Sequence, residues 1–142
     1  TLPSPDLPAG ASAVNAPIGN VQLLAYDIAK NDAQLDLTLY WQASATPEGN
    51  ATVFIHLLDA DGAYVTGRDA PPMGGAYLTH CWQVGEGVTD HHSLTLSDVP
   101  SGVYIVTVGL YDPMTGMRWP VALADGQQPP NRAVTLTDIQ IP

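Results

Sequence analysis

One segment restricts the fold more than any other. Along Leu35-Asp-Leu-Thr-Leu-Tyr-Trp-Gln42, Leu35, Leu37, Leu39 and Trp41 take one phase and Asp36, Thr38, Tyr40 and Gln42 the other. Side chains that change sides at every residue belong to an extended strand with one face in a core; a helix would scatter the same residues around its axis. Thr52 to Leu58 repeats the pattern with Val53, Ile55 and Leu57 on the apolar phase. Asp59-Ala-Asp-Gly62 then supplies the residues of a tight turn, and Ala63 to Arg68 returns as the partner strand.

Similar patterns predict strands at Val21–Ala29, Ser93–Leu96, Tyr104–Tyr111, Arg118–Val121 and Ala133–Ile141. In the last of these Val134 and Leu136 share one phase and Ile139 and Ile141 the other, so a bulge is expected near Thr137 and Asp138. No segment carries apolar residues at helical spacing over three turns, and 13 Gly and 13 Pro punctuate the chain. The expected architecture is all-β: a two-layer antiparallel β-sandwich, immunoglobulin-like or a jelly-roll Greek key, of about 8 strands. Val99-Pro-Ser-Gly-Val-Tyr104 sets a tyrosine at the start of a strand, as in the tyrosine corner of immunoglobulin-type sandwiches.

A chain of 142 residues suits one hydrophobic core. With 45% hydrophobic and only 13% charged residues it has the composition of a folded domain. Residues 1–17, with prolines at Pro3, Pro5, Pro8 and Pro17, read as a Pro-rich linker or a disordered end, and residues 18–142 as the sandwich. Because the chain begins at Thr1 rather than a methionine, it is expected to be part of a longer protein. It lacks an apolar run long enough to span a bilayer, so no direct membrane insertion of this segment is expected. The net charge is −10, with Lys30, Arg68, Arg118 and Arg132 as the only strong bases. Nucleic-acid binding depends on lysine and arginine neutralising phosphates, and this chain cannot supply enough of them.

Motifs for chemistry are missing. His91 and His92 are adjacent, so a strand would send them to opposite faces, and His80 lies in a loop; no metal site is expected from them. Asp59, Asp61, Asp98, Asp112 and Asp125 stand where turns want them, and Glu86 sits between Gly85 and Gly87. Asp59-Ala-Asp61-Gly62 resembles the start of a calcium loop but lacks its remaining ligands, so the hairpin reading is preferred. Neither a nucleophile elbow nor a phosphate-cradling glycine loop occurs. Cys81 beside Trp82 reads as a small buried apolar residue. The reading is of a non-enzyme with no catalytic residues, cofactor or metal.

Two binding surfaces suggest themselves. If Leu35–Gln42 and Thr52–Leu58 pair, Tyr40 falls opposite Phe54 and Thr38 opposite His56. Tyr40, Phe54 and His56 would then share an outer face able to stack sugar rings, or one covered by another layer of the structure. The long segment Arg68 to Trp82 holds Tyr77, His80 and Trp82. Trp82 is either a recognition anchor or a plug closing one end of the sandwich. The candidate ligand-binding residues are therefore Tyr40, Phe54, His56, Tyr77 and Trp82, for a glycan or a protein partner.

The order of motifs carries a resemblance. Leu39-Tyr-Trp41, Val53-Phe-Ile-His-Leu-Leu-Asp59, Asp61-Gly62, Arg68-Asp69 before Pro71-Pro72, Trp82 with Gly85-Glu86, Pro100-Ser-Gly-Val-Tyr104, and Gly109-Leu-Tyr-Asp-Pro113 with Thr115-Gly116 and Arg118 follow in sequence. Over roughly residues 20 to 122 this resembles the extracytoplasmic C-terminal β-sandwich domain of bacterial, Chloroflexi-type, dolichyl-phosphate-mannose mannosyltransferase-like membrane glycosyltransferases. The resemblance implies a non-catalytic accessory module at the cell surface, part of a longer membrane protein, with no catalytic residues to carry over. His80-Cys81 departs from the small polar residues expected before the tryptophan. A shorter likeness, through Trp82 with Gly85-Glu86 and Gly102-Val-Tyr104, is to proteinase-inhibitor domains of immunoglobulin-like fold. The alternatives to a glycan-binding module are thus a protein-interaction domain and a structural spacer.

Overall fold

The computed structural model describes residues 7–31, 33–47, 49–123 and 126–142. Eight strands follow in order: β1 Ser12–Ile18, β2 Val21–Lys30, β3 Gln34–Ala43, β4 Thr52–Leu58, β5 Tyr64–Ala70, β6 Gly87–Thr95, β7 Gly102–Tyr111 and β8 Val134–Ile141. Two single-turn 3-10 helices, Pro72–Gly75 and Thr79–Cys81, lie between β5 and β6. One sheet has the order β1-β2-β3-β6 and the other β5-β4-β7-β8, and every pairing is antiparallel. Consecutive β3 and β4 lie in opposite sheets, while β6 returns to β3 and β7 to β4. That connectivity is the immunoglobulin-type Greek key.

The alternating strands fill the space between the sheets as their pattern requires. Leu35, Leu37, Leu39 and Trp41 face Val53, Ile55 and Leu57 across it, each at most 2% exposed. Trp82 closes one end, its ring centroid 6.4 Å from that of Trp41 and its indole N–H donated to the Tyr77 carbonyl at 3.0 Å. The tyrosine corner is present: Tyr104 Oη donates to the Pro100 carbonyl at 2.7 Å, fixing the entry into β7. Asp59 turns the β4–β5 hairpin by accepting the amides of Asp61 and Ala63 on Oδ1, each at 2.9 Å.

Several boundaries differ from the sequence reading. β1 begins at Ser12, so the stretch read as linker enters the sheet well before residue 17; an edge strand needs only one partner, and β2 supplies it. Residues 1–6 of that stretch, and Asp125 among the turn aspartates, lie outside the described residues. Arg118–Val121 forms no strand: Arg118 and Val121 make single bridges to Tyr111 and Ile18. The register shift in β8 falls at Leu136, next to the expected bulge.

β6 starts six residues ahead of its predicted Ser93, because two of its inward positions are polar. Asp90 is 0% and His92 5% exposed. Asp90 Oδ2 accepts from Trp41 Nε1 at 3.2 Å and from His92 Nε2 at 2.6 Å, and Oδ1 accepts the Met73 amide at 2.7 Å. A buried carboxylate survives only with such partners. Here it ties the Pro72–Gly75 turn, where Met73 holds a left-handed φ of 54°, to the sandwich.

Candidate functional site

The expected face of Tyr40, Phe54 and His56 does not form, because β3 and β4 are not neighbours. Tyr40 is on the outer face of the first sheet, opposite Ala25 and Thr89, whereas Phe54 and His56 are on the outer face of the second. Thr38 lies opposite His91 and accepts or donates a 2.9 Å hydrogen bond at its Nδ1. Tyr40 is covered by Leu24, Ala25 and Ala11, and its hydroxyl donates to Asp27 Oδ2 at 2.7 Å. That residue is a second, small core layer. Trp82 is 2% exposed and is the plug. Tyr77 pins its loop by donating to Glu86 Oε1 at 2.6 Å and approaching the Cys81 carbonyl at 3.1 Å; the bond to Glu86 pushes its phenol pKa up. Cys81 is exposed, not buried, because the 3-10 turn that buries Thr79 directs it outward. Its Sγ lies 3.5 Å from His80 Nε2, and His80 Nδ1 meets Asn50 Oδ1.

Phe54 and His56 nevertheless belong to one surface. In the register of the second sheet Phe54 stands opposite Gly109 of β7, and His56 opposite Gly67 of β5. Both rings lie over the space those glycines leave open. A Cβ on Gly109 would come within 2.3 Å of the Phe54 ring, and one on Gly67 within 2.9 Å of the His56 ring. Interior strand glycines weaken a sheet unless something packs over them, and an aromatic ring from the adjacent strand does so.

Around these two rings the face is continuous. His56 is 4.7 Å from Phe54 between ring centroids and meets Tyr64 edge-on at 4.9 Å; Tyr111 is 6.4 Å from Phe54. Arg118 lays its guanidinium carbon 4.2 Å above the Phe54 centroid. Phe54 is thereby 1% exposed although it points away from the core, whereas Tyr64 is 60% exposed. Asp69, opposite Phe54 on the β5 side, accepts the Tyr111 hydroxyl on Oδ2 at 3.0 Å. Burial is the main reason the Tyr111 phenol pKa is raised, with the bond to Asp69 adding to it. Burial also lowers the His56 pKa, Arg118 lowers it further, and Asp69 works in the opposite direction. A neutral imidazole both donates and accepts, so the platform offers rings, a carboxylate, a guanidinium and an imidazole side by side.

Sequence reading found Phe54 and His56 but missed Tyr64, Asp69, Tyr111 and Arg118. The signal available was the pair of glycines inside β5 and β7, which mark where a ring from β4 can lie flat.

A concavity of about 630 Å³ opens elsewhere, at the end of the sandwich between Gly19, Asn20, Asn50, Asp112, Met114 and Trp119. Its polar groups brace loops: Asn20 Nδ2 donates to the Thr46 carbonyl at 3.0 Å, and Asp112 Oδ1 accepts the Met114 amide at 2.8 Å. Gly19, at a φ of 56°, leaves room for the Trp119 ring, which a Cβ there would meet at 2.9 Å. Among the described residues no three His, Cys, Asp or Glu side chains gather as a metal site would require.

No family model matches the chain, and no curated protein matches it. Among solved structures it is similar to the C-terminal domain of wzt, at 16% sequence identity and a TM-score of 0.49, over 82% of this chain and 74% of that one.

Proposed function

We propose that this chain is a non-catalytic glycan-binding module, carried outside the membrane by a larger glycosyltransferase-like membrane protein, and that the outer face of the β5-β4-β7-β8 sheet is its binding surface. One observation carries the reading: an aromatic row runs Tyr64, His56, Phe54 and Tyr111, with Arg118 lying over the buried Phe54 ring and Asp69 bonded to Tyr111. Sugar rings present flat C–H faces ringed by hydroxyls. Aromatic side chains pack against the first, and planar side chains with paired donors or acceptors bind the second. Seating the rings on strands rather than loops fixes their spacing before a ligand arrives, which lowers the entropy lost on binding. The resemblance noted in the sequence supports the accessory and cell-surface context.

The test is a glycan array followed by titration calorimetry on each hit. Tyr64→Ala and Asp69→Ala are expected to weaken binding at least ten-fold while the folded chain's circular dichroism is unchanged. A complete array with no hits, or hits indifferent to both substitutions, removes the proposal. Trp82, the anchor of the protein-interaction alternative, is buried and cannot act as one without the sandwich opening.

A further inference from the structure

We infer that the platform selects anionic glycans, sugars bearing a carboxylate, phosphate or sulfate, through Arg118 buttressed by Arg132; the inference rests on the glycan-binding reading above. The chain has four lysines and arginines against fourteen acids. A protein of net charge −10 repels anions over most of its surface, so the placing of its few cations is informative. Two of the four meet at the edge of this one face. Arg118 donates from Nη1 to the Asn131 carbonyl at 2.7 Å, and Arg132 donates from Nη1 to the Arg118 carbonyl at 2.7 Å.

Covering Phe54 does not by itself explain a charge. A leucine or methionine would shield the ring equally well without a guanidinium to desolvate. What arginine adds is a planar fork of five N–H donors, one of which goes to Asn131. Stacking on the ring and the bond to a carbonyl hold the fork in one orientation, the condition for bidentate capture of an oxyanion. The backbone beside the fork is also in an uncommon conformation. Arg132 adopts a φ of 50°, a left-handed conformation that arginine disfavours, and its carbonyl packs within 3.0 Å of where a Gly109 Cβ would stand, beside Phe54. Against these two cations the platform sets Asp69, whose Oδ2 accepts the Tyr111 hydroxyl. Asp69 and His56 are then suited to the hydroxyls of the same sugar while Arg118 takes its acidic group.

The experiment is an array in which uronate-, phosphate- and sulfate-bearing oligosaccharides each stand beside their neutral counterpart, for example oligogalacturonate beside its methyl ester. The strongest acidic binder and its counterpart are then titrated at two salt concentrations. The expected result is at least a ten-fold preference for the acidic member, which shrinks as salt rises. Arg118→Gln abolishes the preference, and Arg118→Lys, which keeps the charge but loses the fork, leaves part of it. Should Arg118→Gln fail to fold, Arg132→Gln and the wild-type pair decide alone. Neutral members binding as tightly as acidic ones, or a folded Arg118→Gln that keeps the preference, overturn this inference and leave the glycan reading standing. Binding to no member of either kind overturns both.

Discussion

Gly109→Ala probes the platform from beneath. Gly109 is fully enclosed in β7, and its φ is not in the left-handed region, so alanine meets no backbone strain there. The cost is steric alone. An added methyl would sit 2.3 Å and 2.4 Å from two Phe54 ring carbons and 3.0 Å from the Arg132 carbonyl oxygen. The ring must leave its seat. Overpacking of this kind costs about 1–3 kcal/mol. Expelling a phenyl side chain to solvent costs about 1.5–3 kcal/mol, a similar amount. Losing the cation–π contact with Arg118 adds about 0.5–1 kcal/mol. The expected destabilisation is therefore about 2–3 kcal/mol, since part of the ring's burial will be recovered elsewhere. An unfolding entropy of about 2.1 cal/mol/K per residue over 142 residues makes each kcal/mol worth about 3 °C, so Tm should fall by about 7–10 °C. Urea unfolding should show a lower midpoint at an unchanged slope, and the near-ultraviolet circular dichroism of the aromatic cluster should change. Gly10→Ala is the control: nothing lies within 4 Å of its Cβ, and it should be neutral. If Gly109→Ala matches the wild type in Tm and near-ultraviolet spectrum, the packing described for Phe54 is wrong.

Other substitutions test other parts. Asp90→Ala would leave three donors, from Trp41, Met73 and His92, without their acceptor, and should cost about 3–5 kcal/mol in urea unfolding; a loss below about 1 kcal/mol would mean the buried pair is replaceable. His56 has a folded pKa below its ordinary 6.5, so the unfolded chain takes up its proton first as pH falls. Its contribution is intact above pH 6.5 and is lost between that value and the lowered folded pKa. His56→Gln should flatten that segment of the stability–pH profile, and identical profiles would refute the assignment. Tyr104→Phe removes the corner's hydrogen bond to Pro100 and should cost about 1 kcal/mol, chiefly by faster unfolding if the corner closes late. An unchanged midpoint would show that the bond is not what holds the turn.

What was legible in the sequence followed from alternation. β3 and β4 betray themselves because every inward position is apolar, and the corner at Tyr104 because a Pro/Gly turn precedes a strand. β6 hid its first half because Asp90 and His92 sit at inward positions, where the pattern calls for apolar residues; hydrogen bonds rather than hydrophobicity hold it there. The candidate site was half legible for a different reason. Periodicity assigns a residue to a face, but which strands are neighbours is a property of topology. Tyr40 and Phe54 both point outward, and it took the crossing of β4 to the other sheet to separate them. Arg118 comes to Phe54 from a loop far along the chain, which no local pattern encodes, and Tyr64 reaches His56 across a hairpin whose turn was legible but whose register was not.

The proposal that the outer face of the second sheet binds glycan is tested most directly by nuclear magnetic resonance of the isotope-labelled chain titrated with the tightest array hit. Shift changes are expected at the aromatic signals of Tyr64, His56 and Tyr111 and at the Arg118 side chain, with Tyr40 and Trp82 still. Changes gathered instead at Trp119 and Met114, in the cleft at the end of the sandwich, would contradict it.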